Sequence, residues 1–340
     1  MHLQLVSTAL LLPTTALTIL EQTLHKLHRP PPGQSHAEVP ERLESAVEAL
    51  RAAPFGPALS WRRAVDSEAH TAEGAVAALK LVHAVDHLRR VQGLSRSGGG
   101  GFDADTYCAP GSWEAILDGC RAWQEATALA AAGRGPTFAL CRPAGHHATC
   151  NTAMGFGLVN FAAAATAAHL AEHAESQVAI LDWDVHHGNG VASLFRDDAR
   201  VRYCSLHEAG GFPGTGMEES DRGPLGNLLH LPLPKHAGSA AYLDALRHKA
   251  LPFLLGGDRP QPRLLLVCAG YDALAADPLG TMALCPTDYG ETIRMVCDDF
   301  DFPRTRIALG LEGGYSLCNE AGMPAAVVET CAALTFMSRG

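Results

Sequence analysis

The segment Val178-Ala-Ile-Leu-Asp-Trp-Asp-Val-His-His-Gly-Asn-Gly190 runs from four apolar residues straight into Asp182, Asp184, His186 and His187. A short, continuous apolar run is the pattern of a strand buried on both faces of a parallel sheet. The pattern recurs at Thr137–Cys141, Val201–Leu206, Arg263–Cys268 and Arg306–Leu309, with Ala-rich helical stretches between. Alternation of such runs with helices predicts an α/β domain. In open α/β sheets the functional crevice lies beyond the C-terminal ends of the strands. The residues just past each run are therefore the candidates for chemistry.

After the first run comes Arg142-Pro-Ala-Gly-His146-His147-Ala148. The third ends in His207 and leads to Gly211-Phe212-Pro-Gly-Thr-Gly216; the fourth and fifth are followed by Gly270-Tyr-Asp272 and Glu312-Gly-Gly-Tyr315. All five runs thus deliver polar or aromatic groups to one edge of the sheet.

Asp184 and His186 are two apart, and on an extended strand end that spacing turns both side chains to the same side. Asp272 supplies a third ligand, and three protein ligands with an open fourth position is the arrangement of a catalytic zinc site. Zn²⁺ with two carboxylates and a neutral imidazole is formally neutral, so it acidifies bound water less than a three-histidine site does. Such a site needs a base, which His146 or His147 offers, and an electrophilic donor, which Tyr315 offers. Asp182 can fix the tautomer of one of the two histidines.

The remaining sequence sets bounds. The chain has 340 residues, 47% of them hydrophobic, with no repeat and no linker, so one domain is expected. These features exclude intrinsic disorder, a collagen-like repeat and a small disulfide scaffold. The net charge of −10 argues against nucleic acid held on a broad basic surface. Ten cysteines without a Cys-x-x-Cys pair read as buried thiols of a reducing compartment.

Leu3–Leu20 is uncharged but rich in Ser, Thr and Gln and lacks a basic start. It makes a poor membrane span or signal peptide, and is read as a first strand with its approach, or as an organelle transit segment. The division is accordingly an N-terminal segment over 1–20 and a single catalytic domain over 21–340. A helix is expected after Pro40 with Leu43, Val47 and Leu50 on one face, and a second over Thr71–Val91. Ser95–Gly101 is expected as a mobile loop, followed by a third helix from an N-cap at Ser112 to Gly133.

Taken together, D-W-D-V-H-H-G-N-G preceded by G-H-H-A and followed by G-Y-D and E-G-G-Y resembles the histone deacetylase family. The likeness extends from His36-Ala-Glu-Val-Pro-Glu-Arg42 to about Met323, and its wording is that of the class II, bacterial and plant deacetylase-like branch. The resemblance implies the arginase/deacetylase fold, three α/β/α layers around a mainly parallel sheet. It implies one Zn²⁺ per chain on Asp184, His186 and Asp272, with His147 as general base, His146 paired to Asp182 as its electrostatic partner, and Tyr315 polarising the acyl carbonyl. Gly155, Phe156 and Phe212 would line an acyl-lysine tunnel with Leu279 at its rim. A structural K⁺ would sit at Asp182, the Ser205 hydroxyl and the main-chain oxygens of Asp184, His186 and Leu206, and a second cation near Phe195, Asp198 and Val201.

Several positions depart from the family pattern. Asn189 stands where class I members carry a carboxylate behind the second histidine, which makes His147 less basic. Ala37 replaces the usual proline after His36. Leu279 occupies the position where polyamine-selective relatives carry glutamate, so acyl-lysine is favoured over a dicationic amine. Asp103 and Asp105 are candidates for gripping the substrate backbone.

The expected activity is removal of acetyl and other acyl groups from lysine side chains of proteins or peptides. Small acylated amines or polyamines are the alternative substrates, and an acyl-lysine binding module is the non-catalytic alternative. The binuclear manganese arginases share the fold, but Gly188 sits where their second metal wants an aspartate. No nucleic-acid or membrane partner is expected, and the oligomeric state is left open. The expected location is intracellular, in the cytoplasm, with nucleus, plastid and mitochondrion as alternatives.

Overall fold

The computed structural model describes residues 16–63, 70–257 and 259–335. Its first half contains β1 (Thr18–Glu21), α1 (Glu41–Ala52), β2 (Ser60–Arg63), α2 (Ala72–Val82) and α3 (Val85–Arg96). A two-stranded hairpin, β3 (Gly100–Gly101) and β4 (Tyr107–Cys108), precedes α4 (Ser112–Ala131), β5 (Thr137–Leu140) and α5 (Phe161–Glu172). Next come β6 (Val178–Asp182), α6 (Asn189–Phe195), β7 (Val201–Glu208), β8 (Leu228–Leu233), α7 (Ser239–Ala245) and α8 (Leu251–Leu255). The last described elements are β9 (Leu264–Ala269), α9 (Pro286–Arg294), β10 (Ile307–Leu311) and α10 (Met323–Thr335).

Eight strands form one sheet in the order β2-β1-β5-β10-β9-β6-β7-β8, with every neighbouring pair parallel. Alternate residues of each central strand enter different cores. Leu265, Val267 and Ala269 of β9 pack with α1, α9 and α10, while Leu264, Leu266 and Cys268 pack with α2, α4 and α5. This is the expected three-layer α/β/α arrangement. The five strands anticipated from apolar runs are β5, β6, β7, β9 and β10, which are contiguous in the sheet. Their C-terminal ends therefore converge, and the site is built there.

Some local expectations change. The first strand is Thr18–Glu21, so it straddles the division at residue 20; residues 1–15 lie outside the described residues. The helix expected over 71–91 is two helices, because tertiary bonds override propensity at the junction. Ala84 is extended and its N–H donates to Cys150 O (2.8 Å), while the His83 ring bonds Thr149 O and Asn160 N, both at 2.9 Å. The glycine run is not a free loop, since Gly100 and Gly101 pair with Cys108 and Tyr107. Gly111, not Ser112, is the N-cap of α4; the Ser112 hydroxyl instead accepts from Ala109 N–H at 2.7 Å. All ten cysteines are free thiols, but Cys150, Cys285 and Cys318 are exposed rather than buried. Among the described residues no helix is long and apolar enough to cross a membrane.

Candidate active site

Asp182 ends β6, and the chain beyond it carries Asp184 and His186 across to Asp272, which lies just past β9. These three meet: their ligand atoms all fall within 4.8 Å of one another. His186 Nδ1 is 3.1 Å from Asp184 Oδ1 and 3.2 Å from Asp272 Oδ2. Ligand atoms on a tetrahedral Zn²⁺ with bonds near 2.0–2.1 Å are separated by about 3.3 Å. The remaining oxygen of each carboxylate is held by a backbone donor, Asp184 Oδ2 by Gly313 N–H and Asp272 Oδ1 by Val185 N–H, both at 2.8 Å. Each acid is thus oriented with one oxygen toward the centre. Burial, followed by the Asp184 charge, pushes Asp272 up to about 7. So much buried acid is what a site made for a cation looks like.

The two histidines after β5 are separated electrostatically. His146 Nδ1–H donates to Asp182 Oδ2 (3.0 Å), and its Nε2 lies 3.6 Å from Asp184 Oδ1. Burial opposes its protonation, yet Asp184 and Asp182 more than offset that and raise His146 to about 10. His147, with its ring centroid 4.1 Å away, is held well below its usual value by burial and by the charges of His146 and His186. Its Nδ1 faces Asn189 Oδ1 at 2.8 Å, and the Asn189 amide nitrogen donates to His147 O at 3.3 Å. The asparagine oxygen accepts, so Nδ1 carries the proton and Nε2 is the free basic atom. The two adjacent imidazoles are thus pushed in opposite directions, His146 up and His147 down, the division that an electrostatic partner and a base would need.

Asn189 makes this testable. An Asn189→Asp carboxylate would favour the imidazolium of His147 and raise its pKa. Since the base works in its neutral form, the acidic limb of a kcat/KM profile is expected to move to higher pH by about one unit. An unmoved limb would show that His147 is not the titrating base.

Tyr315 lies in the loop after β10. Its ring sits under the Arg42 guanidinium (4.6 Å) and edge-on to Phe156 (5.6 Å), and its N–H donates to Asp277 Oδ2 at 2.6 Å. Burial, reinforced by Asp272 and Asp184, keeps the phenol protonated and hence a donor. Phe156 takes φ 66°, an uncommon conformation for a bulky residue and one that concentrates at functional sites. A side chain at Gly155 would overlap the His147 ring and crowd Phe212. Phe212 packs edge-on to His147 at 5.0 Å with 46% of its surface exposed, and Leu279 is 42% exposed. Asp277 Oδ1 accepts from Leu279 N–H (2.9 Å), so one buried carboxylate ties the segments of Leu279 and Tyr315 together. Of the two acids beside the glycine run, Asp103 is consumed in its own turn, accepting from Asp105 N–H (3.1 Å) and the Thr106 hydroxyl (3.0 Å).

The oxygens proposed for potassium are partly in place. Asp182 ends its strand buried, and the Ser205 hydroxyl is buried on the adjacent β7. Among the described residues the carbonyl oxygens of Asp184 and His186 accept no hydrogen bond. The second cation position is different. The Asn227 amide nitrogen points at Phe195 O (2.8 Å), Asp198 O (3.2 Å) and Val201 O (3.0 Å), so an amide occupies the cradle an ion would need.

Sequence reasoning missed two structural supports. Glu312 Oε2 accepts from Gly145 N–H (2.6 Å) and His146 N–H (3.1 Å), bracing the histidine turn from β10. Burial raises this carboxyl to about 7. Glu38 is buried against Arg142 and Arg42, and Arg42 in turn donates to Gly314 O at 2.6 Å. A carboxylate adjoining Gly-Gly-Tyr and charges inside α1 were the available signals.

The histone deacetylase domain family matches residues 36–331. An uncharacterized protein of Synechocystis is 39% identical, covering 89% of this chain and 95% of its own. A histone deacetylase-like amidohydrolase of Pseudomonas aeruginosa is 36% identical over 85% of this chain and 74% of its own. The crystal structure of the HDA15 HD domain superposes with TM-score 0.81 at 30% identity, covering 95% of this chain and 90% of that one.

Proposed function

The chain belongs to the histone deacetylase family, and from that premise we propose that it is a zinc-dependent amidohydrolase acting on acyl-lysine side chains of proteins or peptides. The observation that carries the reading is the Asp184–His186–Asp272 ligand cluster, with neutral His147 edge-on to His186 at 5.8 Å between ring centroids. Bound there, zinc would supply Lewis-acid polarisation of the acyl oxygen and acidification of a water. His147 Nε2 accepts the proton of the attacking water and returns it to the departing amine. The Tyr315 hydroxyl donates to the acyl oxygen as negative charge develops on it. His146, oriented by its bond to Asp182, would act on the same charge through its electrostatics without moving a proton. Asp182, the Ser205 hydroxyl and the main-chain oxygens of Asp184, His186 and Leu206 would hold a structural K⁺ behind the ligands. Asp105 is the acid left to grip the substrate backbone.

Two observations favour this reading over its rivals. A side chain at Gly188 would collide with the Asp182 carboxylate and the Tyr203 hydroxyl, which leaves no room for the second-metal aspartate of a binuclear centre. The exposed apolar Leu279 and Phe212 at the mouth suit an acyl-lysine better than a dicationic amine. The test compares acyl-lysine peptides with acetylated small amines and polyamines, with and without chelator. Turnover of the acetyl-lysine peptide is expected, with nearly complete loss on chelation, because the Lewis acid and the acidified water leave with the metal, and return with one equivalent of Zn²⁺. Faster turnover of the small amines would reassign the substrate, and chelator-resistant turnover would remove the metal from the reaction.

A further inference from the structure

Three histidines that the chemistry above does not use lie together behind the Phe212 loop. His187 Nδ1 meets the Thr215 hydroxyl at 2.8 Å, and its Nε2 meets His230 Nδ1 at 2.9 Å. His207 Nε2–H donates to Gly216 O (2.9 Å), which leaves its Nδ1 to accept from the Ser205 hydroxyl at 3.0 Å. The ring centroids of His187 lie 4.8 Å from His207 and 4.7 Å from His230. All three are buried. Burial lowers all three, helped by neighbouring histidines at His187 (to about 2) and His207 (to about 4) and by Arg222 at His230.

The segment they touch is rich in glycine. Gly210, Gly211, Gly214 and Gly216 fall within seven residues, and glycine loses more backbone freedom on ordering than any other residue. Within it Gly214 N–H donates to Gly211 O at 2.8 Å, a single turn. Phe212 itself is 46% exposed, so packing restrains only part of it. Gly216 lies against the face of His187, where any side chain would strike the ring, and its φ of 69° suits glycine. The loop is seated on the histidines at both Thr215 and Gly216.

We propose that His187, His207 and His230 form a buttress that fixes residues 211–216 and so sets the position of Phe212 against His147, which makes Thr215 a positioning residue for the substrate mouth. The inference rests on the acyl-lysine reading for what Phe212 contacts, but not for what holds the loop. His187 also follows the ligand His186 directly, so the same element carries a metal ligand and the loop's anchor. A substrate that presses on Phe212 therefore works against a support continuous with the metal cluster.

Thr215→Val removes the hydroxyl with little change of shape, and Thr215→Ser keeps it. Amide hydrogen exchange of residues 209–217, measured on the full chain, is expected to quicken by about tenfold in Thr215→Val, the worth of one hydrogen bond, and to return near wild type in Thr215→Ser. On an acetyl-lysine peptide, KM is expected to rise several-fold in the valine variant with kcat within about threefold and metal content unchanged. Exchange unchanged in Thr215→Val, or quickened equally in both variants, overturns the buttress. Quickened exchange with an unchanged KM overturns its role at the mouth. Exchange is read without any substrate, so a wild-type protein inactive on acyl-lysine would defeat the functional proposal while leaving this measurement decisive.

Discussion

Tyr315→Phe is expected to lower kcat on an acetyl-lysine peptide by about 10²–10³, the effect of removing one preorganised donor to a developing oxyanion, about 2.7–4 kcal/mol. The variant is a clean one. Arg42 over the ring face, Phe156 at its edge and Asp277 on the backbone N–H all touch parts of Tyr315 that phenylalanine keeps. Metal content should match that of the wild type, because the bonds that hold Asp184, His186 and Asp272 do not involve the phenol. Because burial holds the phenol protonated, the loss should be uniform across neutral pH. His147→Ala should cost about 10²–10⁴, the usual range for a general base. Steady-state kinetics with metal analysis checks both, and wild-type rates in either variant would sink the mechanism.

Glu38→Ala is expected to destabilise the fold by about 3–5 kcal/mol, the range for breaking a buried ion pair by removing one partner. Glu38 and Arg142 are both fully buried. Arg142 Nε donates to Glu38 Oε1 (2.8 Å), another of its nitrogens to Glu38 Oε2, and a third to His25 O (2.7 Å) and His28 O. Arg42 Nη1 reaches the same Glu38 Oε1 at 3.2 Å, and the Tyr107 hydroxyl lies 3.1 Å from Oε2. One carboxylate therefore faces two guanidinium groups, and its loss takes the shared counter-charge from both. Glu38→Gln, of similar volume, isolates the charge from the packing.

Burial alone would raise Glu38, but Arg142, His28 and Arg42 hold it well below the usual carboxylate range. A folded-state value below the unfolded one of about 4.3 means that this stabilisation is complete above that pH. It is lost as pH falls toward the folded value. Urea unfolding of the wild type and both variants measures the effect. A change under about 0.5 kcal/mol in both would mean that the pair contributes no more than a surface bridge.

The central sheet and the Asp184–His186–Asp272 cluster were legible in the sequence because strands buried on both faces have to be apolar throughout, and a carboxylate directly after such a run has no packing reason to be there. β2 and β8 were not, for opposite faults. Ser60-Trp-Arg-Arg63 is a half-exposed edge strand with no apolar signature, and Leu228–Leu233 includes His230 and Pro232, tolerable because β8 is also an edge. Glu38 could not be matched to Arg142 because they are 104 residues apart. Glu312 was visible beside Gly-Gly-Tyr, yet its bond to the histidine turn exists only once β10 has come between β5 and β9. Local signals reported which residues were unusual; pairing across the sheet decided what they touch.

The place of β10 has a consequence for how the molecule comes into being. Among the described residues it is the last strand in sequence order and one of the innermost in the sheet, with β5 on one side and β9 on the other. During synthesis, which runs from the N-terminus, a chain stopped short of residue 307 would hold Asp184, His186, Asp272 and both adjacent histidines, with a gap through the middle of its sheet. Strand pairings between distant segments form slowly, and this one joins residues 137 and 308. Tyr315 and Glu312 arrive with that closing strand. On the proposed mechanism, hydrolysis has to wait for that strand, so catalytic competence would report on assembly of the whole sheet.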